Sequence, residues 1–547
     1  MVVLNLTVTV VSYRFFSNGL YGFLIDFTIW VRDFTLIFAV VTVLDALLYI
    51  LFRKHKSIHN ILKYSFLLVN ICLFLTDLFT IYFFKFQFNV AMMEILAVSN
   101  IREGFEFASM YFFDPKFYML IVAVVVFLLI CFYMFRALYK HKVLMLVIIF
   151  ICTGLGVAGI LREVALKRGL FRVWRSIAVF RLVYLASETM NNIYSFNAAV
   201  SNPDDINITK NDKTIPYAVF ILGESTGRKH LGLYGYELDA TPLLNARAQH
   251  ERLYVFDDVI SSNGHTIASM RTLFSLYAND SAGQWFKYTS LFNILNKAGY
   301  KTFWLTNQER RPGTDPRNIY SNQCSYKDFT DFKTEAFENG SYDESLVDLL
   351  DKAMNYSDEY NFFVLHMLGT HGKYIQRYPA QYEKFSTNDE ITPLVTTKKQ
   401  KATRAQYDNA VLYNDFVIDK IISRFEDKNA IVIYISDHGE DVYDGGSIFG
   451  HGEGTDDHYV LEIPMIIWLS QKFSDSYPEL ERRIASSVHR PYMTDDMLHT
   501  LLDILSIETD EYDPKKSIIN PEFDASRPRI HAGRFIYNKD TGLNAIH

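Results

Sequence analysis

Four apolar, β-branched runs in this chain each end in residues that can do chemistry. YAVFILGES ends at Glu224, KTFWLTNQ at Asn307 and Gln308, NFFVLHMLGTHG at His371, and AIVIYISDHGE at Asp437 and His438. Carboxylates and imidazoles gathered at one edge suit a divalent cation. Mixed oxygen and nitrogen ligation favours zinc, with manganese as the alternative. Adjacent residues at a broken strand can both turn inward, so Asp437 and His438 offer two ligands from one place. His451, in FGHGEG, stands on the glycine-rich loop that follows. Each residue alone has a plainer reading, since an acid after a strand often caps the next turn or helix. Four such ends together are hard to assign to packing.

A metal site that moves a phosphoryl group needs a hydroxyl or water held in line with the phosphorus. VISSNGHTIASMRTLFS reads as a strand, a small-residue turn and a helix opened by Thr266. A helix N-terminus presents unpaired N–H groups and a positive dipole end to a phosphate. A bound cation that favours the alkoxide can activate an otherwise weak threonine nucleophile. Ser262, Ser269 and Thr272 lie close by in the sequence, and position alone does not choose among these hydroxyls.

These groups need a scaffold that brings strand ends together. From residue 215 onward, apolar runs alternate with helical patterns at 290–299, 344–354, 407–427 and 494–505, and IPMIIWLS supplies a fifth strand. Such alternation is the signature of a parallel sheet covered by helices. In open sheets of this kind ligands sit beyond the carboxyl ends of the strands, which is where the polar residues fall.

Composition sets the outer bounds. The chain has 547 residues, 50% of them hydrophobic, a mean hydropathy of +0.04 and a formal net charge of −7. Its length suits two or three domains, and its charge gives no reason to expect a nucleic-acid partner. The apolar residues concentrate in the first third. Runs at roughly 34–52, 62–86, 116–138 and 143–161 are each long enough to cross a hydrocarbon core of about 30 Å. An interrupted stretch at 2–31 makes a fifth span, read as a retained anchor. Arg53, Lys54, Lys56 and Lys63 in one loop, and Lys140 and Lys142 in another, place both loops in the cytoplasm by the positive-inside rule. The loop 87–115 and everything after 161 then lie on the outer side.

Residues 162–214 form a bridge. Arg162, Lys167, Arg168, Arg172, Arg175 and Arg181 are interleaved with apolar residues, as in a helix lying on a lipid surface or in an ordinary amphipathic connector, and 201–214 reads as a linker. Asp45 and Asp77 fall inside spans, where an acid is costly and often functional; the sequence names no partner for either. Cys324 is the one cysteine of the polar part, so no disulfide forms within it.

ILGESTGRKHLGLYGYELDATP, NGHTIASM, LGTHGKY, YDNAVLYNDFV, YISDHGED and FGHGEG follow one another. In order and spacing they resemble the phosphoethanolamine transferases, in the sulfatase-like branch of the alkaline phosphatase superfamily. GEST, YGY and the His-Thr pair look closest to the branch acting on lipopolysaccharide core. The resemblance implies a helical transmembrane bundle of about five spans (1–161), the bridge (162–214), and an α/β sulfatase-like domain with a central, mostly parallel sheet (215–547). It implies that Glu224, Asp437 and His438 bind the catalytic zinc and that Thr266 is the metal-bound nucleophile. His371 and His451 would contact the phosphoryl group or a second metal, one of them protonating the leaving group. Asn307 and Gln308 would lie near a substrate phosphate. In the outer loop, Asn100, Glu103 and Glu94 are similar in placement to residues that receive the lipid head group, and a carboxylate there would pair with an ethanolamine ammonium.

The donor so implied is phosphatidylethanolamine. The acceptor is lipopolysaccharide (core sugar or lipid A) or a similar envelope glycan, and the setting is a bacterial inner membrane with the catalytic domain in the periplasm. NGHTI stands where the disulfide-rich branch of the family has a CGTST-like turn, so Thr266 is matched by anchoring on Phe274 and Ser275, with one residue deleted. A phosphoglycerol transferase would share fold and metal, and the outer-loop acids lean towards ethanolamine. A hydrolytic sulfatase fits poorly: Ile267, Ala268, Ser269 and Met270 follow Thr266, where a C/S-x-P-x-R signature would need proline and arginine. A membrane sensor with a degenerate enzyme domain is the non-enzymatic rival, against which the intact constellation stands.

Overall fold

The structure, a computed structural model, describes residues 47–84, 87–90, 115–139, 178–199, 206–250, 252–308, 315–330, 342–390, 392–446, 449–451, 457–531 and 535–545, with isolated positions between 92 and 154. The chain divides into two compact units near Tyr194.

In the first unit, α1 (Lys56–Phe84) and α2 (Pro115–Tyr139) form where spans were expected at 62–86 and 116–138. Among the described residues, Lys56–Phe83 is the one helix long and apolar enough to cross a membrane. The stretch 2–31, most of 34–52 and most of 143–161 lie outside the described residues, as do Asp45, Glu94, Asn100 and Glu103. Asp77 does have a partner. Arg181, on α3 (Ala178–Ala199), brings Nη2 to 2.6 Å from both of its oxygens, and the Phe88 N–H donates to Oδ1 at 3.2 Å. Arg181 therefore faces a carboxylate, not the lipid surface expected of it. An acid packed among apolar helices is too costly to leave unpaired.

The second unit is organised by a seven-stranded sheet. Its strands are β2 (Tyr217–Gly223), β3 (Leu253–Phe256), β4 (Lys301–Thr306), β5 (Tyr326–Phe329), β6 (Asn361–His366), β7 (Ala430–Ser436) and β8 (Met465–Leu469). They lie in the order β3, β8, β7, β2, β6, β4, β5. The five from β7 to β5 are parallel, as expected. The IPMIIWLS strand, β8, instead runs antiparallel to both of its neighbours. Part of the expected linker is also a strand: β1 (Ile208–Asn211) pairs with β9 (Ile507–Thr509).

Strands buried on both faces read as unbroken apolar runs, and here successive residues go to opposite cores. Phe220, Leu222, Ile433 and Ile435 pack on one side with α4 (Thr266–Leu273), α5 (Leu291–Ala298), α6 (Pro316–Gln323) and α9 (Met497–Ile504). Val219, Ile221, Val432 and Tyr434 pack on the other with α7 (Ser345–Met354) and α8 (Lys398–Ser423). Helix α8 starts nine residues before the expected 407, where Thr397 and Gln400 form a reciprocal capping box. The parallel strands thus deliver Glu224, Asn307, His371 and Asp437 to one edge of the sheet, beside the first turn of α4.

Candidate active site

Glu224 follows β2 and is turned inward by Ser225, whose φ of 57° is a left-handed conformation rare for a residue with a side chain. The Ser225 N–H donates to Asp437 Oδ1 at 3.3 Å, tying the ends of β2 and β7 together. The Thr266 hydroxyl donates to Glu224 Oε1 at 2.9 Å and lies 3.3 Å from His438 Nε2. His438 Nε2 is 3.1 Å from Glu224 Oε1 and 3.6 Å from Asp437 Oδ2. Sequence reasoning placed these four residues together, and the structure brings them together.

The competing hydroxyls face elsewhere. Ser262 Oγ and Thr272 Oγ1 are 2.7 Å apart, and Ser269 donates to the Asn263 carbonyl at 3.1 Å. All three are buried, whereas Thr266 is half-exposed at the head of its helix. Geometry therefore singles out Thr266.

The residues present fit a divalent cation. Glu224, Asp437 and His438 each offer a buried donor atom, all within 4.8 Å of one another. Asp437 Oδ2 is buried and has no hydrogen-bond partner among the described residues, whereas Oδ1 accepts two N–H bonds. His438 Nδ1 donates to the Gly439 carbonyl at 2.8 Å, which leaves Nε2 as the ligating nitrogen. Protons compete for the same place. Burial, then the Glu224 charge, pushes Asp437 up to about 7. Burial opposes charge on His438, but Asp437 and Glu224 outweigh it and raise the imidazole to about 10. Carboxylates crowded this closely need a positive charge between them.

Two more histidines border the group. The His451 ring lies 4.2 Å from that of His438 and 6.0 Å from that of His371, centre to centre, tilted against both. His451 Nδ1 donates to Glu440 Oε2 at 2.6 Å, and Tyr374 OH donates to Glu440 Oε1 at 2.8 Å. Glu440 thus orients the His451 ring, and His438, Glu440 and His451 form a second group of close donor atoms. Burial, with help from the Arg377 charge, holds His371 down to about 3 even though Glu224 pulls it upward. It is a neutral imidazole at physiological pH.

Asn307 turns away from the expected substrate role. Fully buried, it donates to Asp343 Oδ1 at 2.8 Å and accepts from Thr330 Oγ1 at 2.6 Å. Gln308 Nε2 donates to the Met367 carbonyl at 2.9 Å, and its side chain lines a small cavity with Thr306, Arg317 and Ser321. Arg317 is itself held by Asp315 through two hydrogen bonds of 2.9 and 2.6 Å. Sequence reasoning missed Glu440 and Asp343. Glu440 was within reach, because YISDHGED sets an acid two residues after His438. Asp343 carried no signal, for its partners are 25, 26 and 36 residues away.

Comparison with known proteins places the chain among relatives of one fold. The family model described as "Sulfatase" matches residues 216–507. The Escherichia coli (strain K12) phosphoethanolamine transferase EptC is 32% identical over 311 residues, 56% of this chain and 53% of that protein. The Salmonella typhimurium phosphoethanolamine transferase CptA is 29% identical over 64% of this chain and 61% of that protein. The chain thus spans little more than half the length of the curated relatives it matches. The crystal structure of the C-terminal periplasmic domain of E. coli EptC in complex with Zn is 29% identical, with a TM-score of 0.56 over 62% of this chain and 95% of that one. The integral membrane protein EptA of Neisseria meningitidis shares the fold over 94% of this chain and 98% of its own, with a TM-score of 0.62 at 21% identity.

Proposed function

Because the chain belongs to the sulfatase family, we propose that it turns that fold to group transfer, moving phosphoethanolamine from phosphatidylethanolamine to lipopolysaccharide or a similar envelope glycan. The observation that carries this reading is the Thr266 hydroxyl, half-exposed at a helix start, 2.9 Å from Glu224 and 3.3 Å from His438. A positioned side-chain oxygen suits a covalent relay between two substrates. Zinc, the metal present in the related E. coli domain, would be held by Glu224, Asp437, His438 and Thr266. Once bound, it supplies a Lewis acid that favours the threonine alkoxide and draws charge from the phosphoryl oxygens.

In the first step the Thr266 oxygen bonds to phosphorus, the bond from phosphorus to the diacylglycerol oxygen breaks, and the threonine proton leaves to solvent at the half-exposed helix start. His451, oriented by Glu440, protonates the departing oxygen, and His371 donates an N–H to the phosphoryl group. In the second step an acceptor hydroxyl attacks the phosphorus of the phosphoethanolamine-threonine ester, the bond from phosphorus to the Thr266 oxygen breaks, His451 removes the acceptor proton, and the freed Thr266 oxygen takes a proton from solvent. Anchorage in a bacterial inner membrane by about five spans, with residues 215–547 as a periplasmic catalytic domain, suits a lipid donor whose other product returns to the bilayer. Asn100 and Glu103 of the outer loop would meet the ethanolamine ammonium.

Glutamine in place of Glu440 is expected to lower turnover about 10- to 100-fold, because the carboxylate that orients His451 is lost. Zinc content should stay at the wild-type level, and rate and metal are measured on the same preparation. The reading as a whole is tested by mass spectrometry of envelope glycans from cells lacking or expressing the chain, with Thr266→Ala as control. Added phosphoethanolamine with the wild type alone is the expected result. Expression that adds it to no glycan refutes the proposed function.

A further inference from the structure

We infer that Asp343 is a positioning residue for the transfer reaction, fixing the turn that carries His371 against the backbone of Glu224. The carboxylate is 3% exposed and stands immediately before Glu344 and helix α7, on the opposite face of the sheet from Thr266's helix. Its three hydrogen bonds are short. Oδ1 accepts from the Leu368 N–H at 2.7 Å and from Asn307 Nδ2 at 2.8 Å; Oδ2 accepts from the Gly369 N–H at 2.8 Å. A buried carboxylate receiving several N–H bonds is a strong and directional anchor.

What it anchors lies directly on the candidate site. Gly369 has φ of 57°, and a Cβ there would come within 2.5 Å of the Glu224 carbonyl oxygen and 2.8 Å of its nitrogen. Only glycine lets the two backbones approach so closely. The next residue clasps the same strand end: the Thr370 N–H donates to the Glu224 carbonyl at 3.0 Å, and its hydroxyl donates to the Ser225 carbonyl at 2.7 Å. One side of the turn therefore grips Glu224 while the other is pulled towards Asp343, and His371 follows at once. Through Asn307 the same carboxylate also holds the end of β4. Asp343 touches no reacting atom. Its effect passes through His371, in the role assigned to that residue under the proposed function.

The test is a double-mutant cycle on the full chain in detergent micelles. Wild type, Asp343→Asn, His371→Ala and the double variant are assayed for diacylglycerol release from phosphatidylethanolamine and for hydrolysis of bis(p-nitrophenyl) phosphate. Asparagine turns one acceptor into a donor, so one N–H of the turn loses its partner. The expected loss in kcat is about 10- to 100-fold, with KM changed less than about threefold, because misplacing a catalytic group costs rate more than binding. Adding Asp343→Asn to His371→Ala should cost almost nothing more, since residues acting as a unit are not additive. Multiplicative losses, an unchanged kcat for Asp343→Asn, or zinc loss in that variant overturn the proposal. If Asp343→Asn does not fold, Asp343→Glu takes its place in the cycle, and failure of both to fold counts against it. A wild type inactive on the lipid but active on the diester sinks the proposed function and leaves the cycle readable on the diester.

Discussion

Alanine at position 266 is expected to lower the transfer rate at least about 1,000-fold, because it deletes the proposed nucleophile. The fold should hold, for Thr266 is half-exposed and its helix is capped by His265, which accepts from the Ala268 N–H. Zinc should remain as well, since Glu224, Asp437 and His438 keep their places. Serine retains the hydroxyl and should preserve measurable transfer. Intact-protein mass spectrometry after incubation with phosphatidylethanolamine decides the matter. The wild type and the serine variant should gain one phosphoethanolamine and the alanine variant none. An adduct on the alanine variant would move the nucleophile to another residue.

The second large effect concerns stability and its dependence on pH. His230 is buried between two acids, with Nδ1 2.6 Å from Asp408 Oδ1 and Nε2 3.2 Å from Asp444 Oδ1. Tyr236 donates to Asp408 at 2.9 Å, and Arg404 donates to Asp444 at 2.9 Å and to Glu390 at 2.6 Å. Burial alone would lower His230, but Asp444 and Asp408 outweigh it and raise the ring from 6.5 to about 9. A folded-state value above the unfolded one means stability that is complete below about 6.5 and lost as pH rises through about 9. The difference corresponds to about 3 kcal/mol. Removing one partner from a buried charged group typically costs about 3 to 5 kcal/mol, so His230→Gln should melt well below the wild type at pH 6. The gap should close by pH 10, as followed by thermal denaturation across that range. A gap that does not change with pH would mean that the imidazole is uncharged.

The sequence made the chemistry more legible than the architecture around it. Glu224, His371, Asp437 and His438 stood out because acids and imidazoles at the ends of buried strands have few structural excuses. Thr266 stood out less, since Ser262, Ser269 and Thr272 look the same until their hydrogen bonds are seen. The direction of β8 was invisible, because a run such as MIIWL buries both faces equally well whichever way it points. Strands β3 and β5 were too short to register, with four residues each. The polar opening turns of α8, KKQKATRAQ, hid its true beginning. Asn307 was drawn into the site by its position on the strand, while its carboxylate partner lay 36 residues further on. Arg181 and Asp77, 104 residues apart, met for the same kind of reason. Local pattern reveals which side chains a strand end offers; it does not reveal which distant group answers them.

The reversed β8 also leaves the molecule with a quiet side. Its far end, at Ser470, returns to the start of β7, where the Ser470 N–H donates to the Ala430 carbonyl at 3.1 Å. The connections entering β6 and β7, with exposed Tyr356 and Asp427, open on this same rim, remote from the carboxyl ends of the parallel strands. A fluorophore or affinity handle inserted between Asp427 and Asn429 would ride there, on the opposite rim of the sheet from Glu224, Asp437 and His438, giving a labelled protein whose candidate site stays open.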